Sequence, residues 1–422
     1  MSGNSTSEST RGSARTILFS DTNRYPSPAR LAIGLAKFGC RVVSICPQRG
    51  HPMLFTRAVE RSFAYSAIDP LGSLEKAINE TNPDLVIPCD DRGVLHLHEL
   101  YDRARNQGPS GAAIAALIER SLGAPESYPV VSSRYQLLEL ARQEGLRVPT
   151  TKFIQSPDDI DQWAAQEPFP WVMKADGTYG GLGVRVAEDA KQARSIFREM
   201  NRPHRARRVF KRLIVNRDPF FLRPWWNRVR PSVIAQSFIK GRPGNCAAFC
   251  WQGKVEAEIS VEVLSSEGLT GPAGVVRVID SPAMMNAAEV IARRLKLSGV
   301  FGLDFMIEEG TGDTYLIEMN PRSTPLCHFQ LGKNRDLIGS IWARVSGQPM
   351  RDSPPVTLKD VIMYFPQLGD NHAEFKDISY YDAPKDEPEL VRELLRPWPD
   401  RSLLYRLGHV LTSSISSQKT SR

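Results

Sequence analysis

The chain lacks the features that define several large classes of protein. Six cysteines in 422 residues are too few and too scattered for a disulfide framework. Cys246 and Cys250 have no second pair and no nearby His, which argues against structural zinc. No apolar run approaches the roughly 20 residues that cross a bilayer. The first strand is followed by Ser20-Asp21-Thr22-Asn23 and not by a GxGxxG turn, which disfavours a dinucleotide dehydrogenase. No motif supplies a protein nucleophile. The first fourteen residues are polar without a hydrophobic stretch, so they read as a tail and not a signal peptide. A reducing, cytoplasmic setting is the expectation.

What remains is an ordinary globular composition, with 41% apolar and 24% charged residues. The net charge of +7 is concentrated. Between Arg202 and Arg230 there are ten Lys or Arg and one acid, Asp218, so that segment carries +9 and the rest of the chain −2.

Residues 15–125 alternate apolar runs of strand length (RTILFS, RVVSIC, DLVIPC) with helix-periodic stretches. This rhythm predicts a parallel, helix-covered sheet. Asp90-Asp91 follows a strand end, where it caps the next helix or faces a ligand, with capping preferred. The expected boundaries are a tail to 14, an α/β unit over 15–125, a first α+β lobe over 126–235, a second over 236–350 and an extension over 351–422 with short helical pieces.

Two constellations carry chemistry. In WVMKADGTYGGLGV a strand ends at Lys174 and runs into a turn holding Gly180, Gly181 and Gly183. Such a turn lets backbone N–H groups approach phosphate, with the Lys as a point charge; a plain hairpin is the alternative. In GVFGLDFMIEEGTGDTYLIEMNPR two apolar strands flank Gly310-Thr311-Gly312. A turn centred on Thr311 sets residue i opposite 622 − i, so Asp304 faces Glu318. Asn320 shares that face, as does Arg322 if the strand continues. Two adjacent carboxylates and an amide oxygen are hard donors suited to Mg2+, with Mn2+ as a substitute.

Lys174 with its glycine loop, then Gln236-Ser-Phe-Ile239, then Asp304 and Glu318-x-Asn320-Pro-Arg322 stand in the order found in ATP-grasp enzymes. The resemblance covers about residues 126–350, and the preceding unit resembles that superfamily's pre-ATP-grasp domain. It implies a Rossmann-like α/β domain followed by a two-lobed fold clamping ATP. Lys174, Gly180, Gly181 and Gly183 would hold phosphates, and Gln236, Phe238 and Ile239 the adenine. Asp304, Glu318 and Asn320 would hold Mg2+. Lys174 and Arg322 would offset charge in the transition state. Arg134 stands where the family usually has Lys, and Gln236 where Glu is common. Glu256, Glu258 and His328 are weaker candidates; His96 and His98 lack a partner motif.

The implied activity is that of an ADP-forming carboxylate–amine ligase acting on small molecules. A biotin-carboxylase-type or carbamoyl-phosphate-type reaction, a non-catalytic nucleotide binder, and a nucleic-acid or anionic-surface binder acting through 202–230 stay open. For 202–230 a lid with inward aromatics is preferred over nucleic acid. A homo-oligomer is also left open.

Overall fold

A computed structural model describes residues 14–175, 183–202, 206–215, 220, 222–266, 271–350, 360–366 and 378–396. Gly180 and Gly181 therefore lie outside the described residues. Three sheets organise the rest.

The first sheet is parallel, in the order β3-β2-β1-β4, with β1 Thr16–Ser20, β2 Arg41–Cys46, β3 Val59–Ala64 and β4 Leu85–Pro88. Its inner strands are near-continuous apolar runs because helices cover both faces. Ile17 and Phe19 point toward Leu31 and Leu35, while Leu18 points toward Leu74 and Leu97. β3 has no apolar run of its own; Glu60 and Arg61 are exposed on this edge strand. From β1 the chain moves outward to β2 and β3, then returns to pair β4 on the other side. The C-terminal ends of β1 and β4 are thus a topological switch point, where open sheets bind ligands.

The second sheet is antiparallel, ordered β5-β8-β6-β7, with β5 Thr151–Ile154, β6 Trp171–Ala175, β7 Val184–Ala187 and β8 Val233–Ser237. Helices Pro157–Ala164 and Ala190–Met200 cover one face through Ile160, Trp163 and Phe197, which meet Trp171, Met173 and Ala235. The other face carries Lys174 and Ile234 in register and, two residues on, Gln236. β8 spans the divide expected between 235 and 236.

The third sheet has seven strands: β9 Gly241–Trp251, β10 Lys254–Ser266, β11 Ala273–Ile279, β12 Gly299–Glu308, β13 Thr314–Asn320, β14 Val361–Tyr364 and β15 Tyr380–Asp382. Its order is β13-β12-β9-β10-β11-β14-β15. A two-residue turn, Gln252-Gly253, joins β9 and β10 with both φ values positive (50° and 82°), matching the right-handed twist of the hairpin. Gly299 has φ +88°, and a Cβ there would fall 2.2 Å from the Ser121 carbonyl, so this sheet abuts the N-terminal unit through a bare backbone.

The C-terminal stretch differs from its helical expectation. It holds the helix Pro388–Leu395, but it also adds β14 and β15 to the sheet. β14 is only four residues long, too short for periodicity to separate from a helical turn. Asp382 ties three parts of the chain together. It accepts Arg30 of the helix Ser27–Lys37 and lies 2.9 Å from His328 Nε2. Arg24, in the loop after β1, donates to the Glu393 carbonyl at 2.8 Å. Among the described residues no helix is long and apolar enough to cross a membrane.

Candidate active site

The site forms where the bare face of the second sheet meets the β12–β13 end of the third. β12 and β13 pair antiparallel with Asp304 opposite Glu318 and Gly302 opposite Asn320, as the 622 rule requires. Toward the turn the register slips by one, with Phe305 opposite Leu316. β13 therefore carries one extra residue, Ile317, in a bulge beside the two carboxylates. A bulged residue is left out of the ladder, and the Ile317 carbonyl accepts Lys174 Nζ at 3.2 Å.

Asp304 sits among amides. Asn245 Nδ2 donates to its Oδ1 at 2.7 Å and Asn320 Nδ2 to its Oδ2 at 3.0 Å. Burial, with the Glu318 charge alongside, lifts the Asp304 carboxyl to about 6. Burial pushes Glu318 upward too, but Arg134 and Lys174 outweigh it and hold that carboxyl below its ordinary range. Arg134, in the first turn of the helix Arg134–Gln143, donates to Glu318 Oε1 from Nε and Nη2 at 3.1 and 2.7 Å. Its Nη1 donates to the Ala175 carbonyl at 2.8 Å, at the end of β6. The guanidinium fork thus joins the two lobes, which a lysine's single point could not do. Lys174 is 5% exposed, and burial lowers its ammonium to about 8 against the pull of Glu318.

Arg322 does not continue the strand. β13 ends at Asn320, and the chain turns so that the Arg322 N–H donates to the Asn320 carbonyl at 2.8 Å. Its Nη2 donates to Asn320 Oδ1 at 3.1 Å, its Nε to Asp91 Oδ1 at 3.2 Å, and it lies over the Tyr25 ring. Arg322 so connects the carboxylate cluster to the switch point of the first sheet. There Asp90 caps the helix Asp91–Asn106 through the Gly93 N–H at 2.7 Å and accepts the Thr22 N–H at 2.6 Å. His51, fully buried, lies 3.0 Å from Asp21. Burial works against its charge, but Asp21 raises its pKa to about 10.

The remaining candidates separate. Gln236 is buried on the Lys174 face, with Nε2 3.4 Å from Thr151 Oγ1. Phe238 is exposed and Ile239 half-buried, both just past β8. Gly183 accepts the Ala175 N–H at 3.1 Å, closing the base of the glycine turn. Glu256 lies outside the cluster, paired with Arg344 and Lys254, and Glu258 is buried against Ser260. His328 serves Asp382. His98 stacks on Tyr128 at 3.9 Å, and burial lowers it to about 4, so it is neutral. Sequence reasoning missed Asn245 and Asp91 as partners of Asp304 and Arg322. A single Asn in the apolar run of β9 was the signal for the first. In 202–230 Phe220 does pack inward, its ring 4.1 Å from the Arg92 guanidinium carbon, but Trp226 faces solvent.

Among the described residues no group of three or more His, Cys, Asp or Glu is placed to hold a metal ion. Two carboxylates and an amide fall short of a full protein shell. That suits Mg2+, which shares its shell with phosphate oxygens and waters. The raised Asp304 beside Glu318 is the strain a divalent cation relieves, so the two carboxylates fit the ion, while Asn320 turns its amide nitrogen to Asp304 and its oxygen to Arg322.

An antiparallel first lobe facing a larger sheet across a Lys–Arg–carboxylate cleft, behind a parallel α/β unit, defines an ATP-grasp fold. Residues 131–325, a little under half of the chain, match the family model described as the ATP-grasp domain. Over 79 residues it is 39% identical to the N5-carboxyaminoimidazole ribonucleotide synthases of Mycobacterium bovis and Mycobacterium tuberculosis. The match takes in 18% of this chain and spans only 18% of those relatives. Among solved structures, a Campylobacter jejuni biotin carboxylase–β,γ-ATP complex superposes with a TM-score of 0.56 at 14% identity, covering 82% of this chain and 74% of that one. The Staphylococcus aureus N5-carboxyaminoimidazole synthetase complexed with ADP gives 0.56 at 14%, covering 82% and 80%. A Bacillus licheniformis L-amino acid ligase gives 0.51 at 13%, covering 80% and 77%. At these identities the likeness is one of fold. The fold class expected from the sequence is the one present.

Proposed function

We propose that the chain is an ADP-forming ligase. A carboxylate substrate takes the γ-phosphoryl group of ATP to give an acyl phosphate. An amine then attacks the acyl carbon, loses a proton and expels phosphate, leaving an amide or peptide-like bond. The observation that carries this reading is the meeting of Lys174 and Arg134 from the first lobe with Glu318, beside Asp304 and Asn320, from the second. The names of the similar proteins, which include an L-amino acid ligase, support it.

In this reading Gly180, Gly181 and Gly183 cradle phosphates, and Gln236, Phe238 and Ile239 form the adenine wall. Asp304, Glu318 and Asn320 would hold Mg2+, which supplies positive charge to phosphate oxygens. Lys174, buried and drawn toward Glu318, presents a compact cation to the transferring phosphoryl group. Arg322, held by Asp91 and Asn320, balances charge on the side facing the switch point, where the carboxylate and amine would bind.

The test is ADP release by the full chain over a panel of carboxylates crossed with amines, with Mg2+ or with a chelator. ADP formation that requires one matched pair and the metal is the expected result. Nucleotide bound equally well by wild type, Lys174→Ala and Glu318→Gln, with no ADP from any pair, would mark a non-catalytic binder.

A further inference from the structure

The segment 202–230 has no part in the ligase reading, and its described residues present an unusual surface. Helix Ala206–Val215 has two apolar edges. Val209 is buried and Leu213, four residues on, half-buried. Phe210 and Ile214, also four apart, face water at 44% and 74% exposure. Across the following helix, Leu222–Trp226, Trp226 is 76% exposed, and Val229 just beyond it is 51% exposed. Of the eleven exposed large apolar side chains among the described residues, these are four. Phe210 meets the Trp225 ring edge-on at 5.5 Å, so the two short helices pack against each other beside the exposed face of Phe210 and Ile214. Phe220, held over Arg92, anchors the segment on the N-terminal unit and leaves that face outward.

The same stretch carries ten Lys or Arg against one acid. Water leaves the exposed Ile and Trp unsatisfied, and a folded protein partner would need an acidic rim around an apolar pocket. The geometry points to a docking face for an anionic lipid bilayer, centred on Phe210, Ile214, Trp226 and Val229. Aliphatic and aromatic side chains enter the acyl boundary while Arg228 and Arg230, exposed on either side of Val229, meet headgroup phosphates. Nucleic acid explains the charge and the tryptophan, but it gives Ile214 and Val229 nothing to stack on. The inference is independent of the ligase reading, since none of these four residues touches the cleft cluster.

The test is flotation of the full chain with vesicles of equal parts phosphatidylglycerol and phosphatidylcholine, with phosphatidylcholine alone, and retention on a single-stranded oligonucleotide. The chain should float with the anionic vesicles only. Ile214→Asp and, separately, Val229→Asp should weaken this by roughly tenfold or more at unchanged melting temperature, because burying an aliphatic side chain is worth about a decade in affinity. Absence of flotation, equal flotation of both variants, or retention by the oligonucleotide in place of vesicles would overturn the assignment.

Discussion

Replacing Lys174 with Met should stabilise the protein near neutral pH while removing its use of ATP. The Lys174 ammonium is buried, and its drop from 10.5 to about 8 disfavours the charged form by about 3 kcal/mol. That figure already includes the attraction to Glu318; against it stands the bond to the Ile317 carbonyl, worth about 1 kcal/mol. Met keeps the length of the chain without the charge. We expect a gain of about 1–2 kcal/mol at neutral pH. The pH dependence makes the argument sharper. Between about pH 8 and 10.5 the folded chain has lost the Lys174 proton that the unfolded chain retains, so stability rises with pH. His51 does the opposite. Its pKa rises from 6.5 to about 10 on folding, so its contribution is complete below about 6.5 and is lost as pH climbs to 10. In wild type the two offset each other above about pH 8. In Lys174→Met the decline from His51 continues unopposed, and the variant's advantage disappears by about pH 10. Denaturant midpoints of both proteins, measured without nucleotide from about pH 7 to 10, supply the check. Parallel curves, or a variant less stable at neutral pH, would refute the reasoning.

Glu318→Gln should lower metal-dependent ADP release by about 100-fold or more with the fold intact, read by turnover and circular dichroism; wild-type turnover would remove Glu318 from the site. Asp91→Ala should free Arg322 and cut kcat by roughly tenfold, while melting shifts by no more than about 2 °C, because a partly exposed ion pair is worth little. An unchanged kcat would mean that Arg322 is not positioned from the N-terminal unit. Asp382→Asn leaves Arg30 and His328 without their shared charge and should cost about 3 kcal/mol in denaturation; a loss under about 0.5 kcal/mol would reduce that junction to a surface contact.

Local features could be read from the chain, and long-range ones could not. The pairing of Asp304 with Glu318 followed from a hairpin turn and a period of two, since sequence distance fixes register there. Yet the arithmetic worked only because the bulge at Ile317 restores the register that the turn itself sets one residue short. Asn245 reaches Asp304 through the β9–β12 pairing, which no turn connects, so no spacing rule gives its register. Asp91 meets Arg322 across 231 residues. The preference for capping at Asp90 fits what the side chain does, since helix starts are decided within a few residues. β14 and β15 were invisible because their four and three residues gain stability only from strands already in place.

The ties between the loop after β1 and the far end of the chain bear on how the protein is made. Arg24 and Glu393 are 369 residues apart, and Arg30 and Asp382 are 352 apart. As the polypeptide leaves the ribosome, the first sheet can close early, but its switch-point loop waits until nearly all the described chain has emerged. Closing so long a loop adds only slowly to the entropic cost, though it delays the contact. A nascent chain stalled before residue 380 should therefore hold a protease-resistant N-terminal sheet whose Arg24 loop is still cut. Asp382 and Glu393 so leave the N-terminal wall of the cleft unfinished until both of the lobes that face it exist.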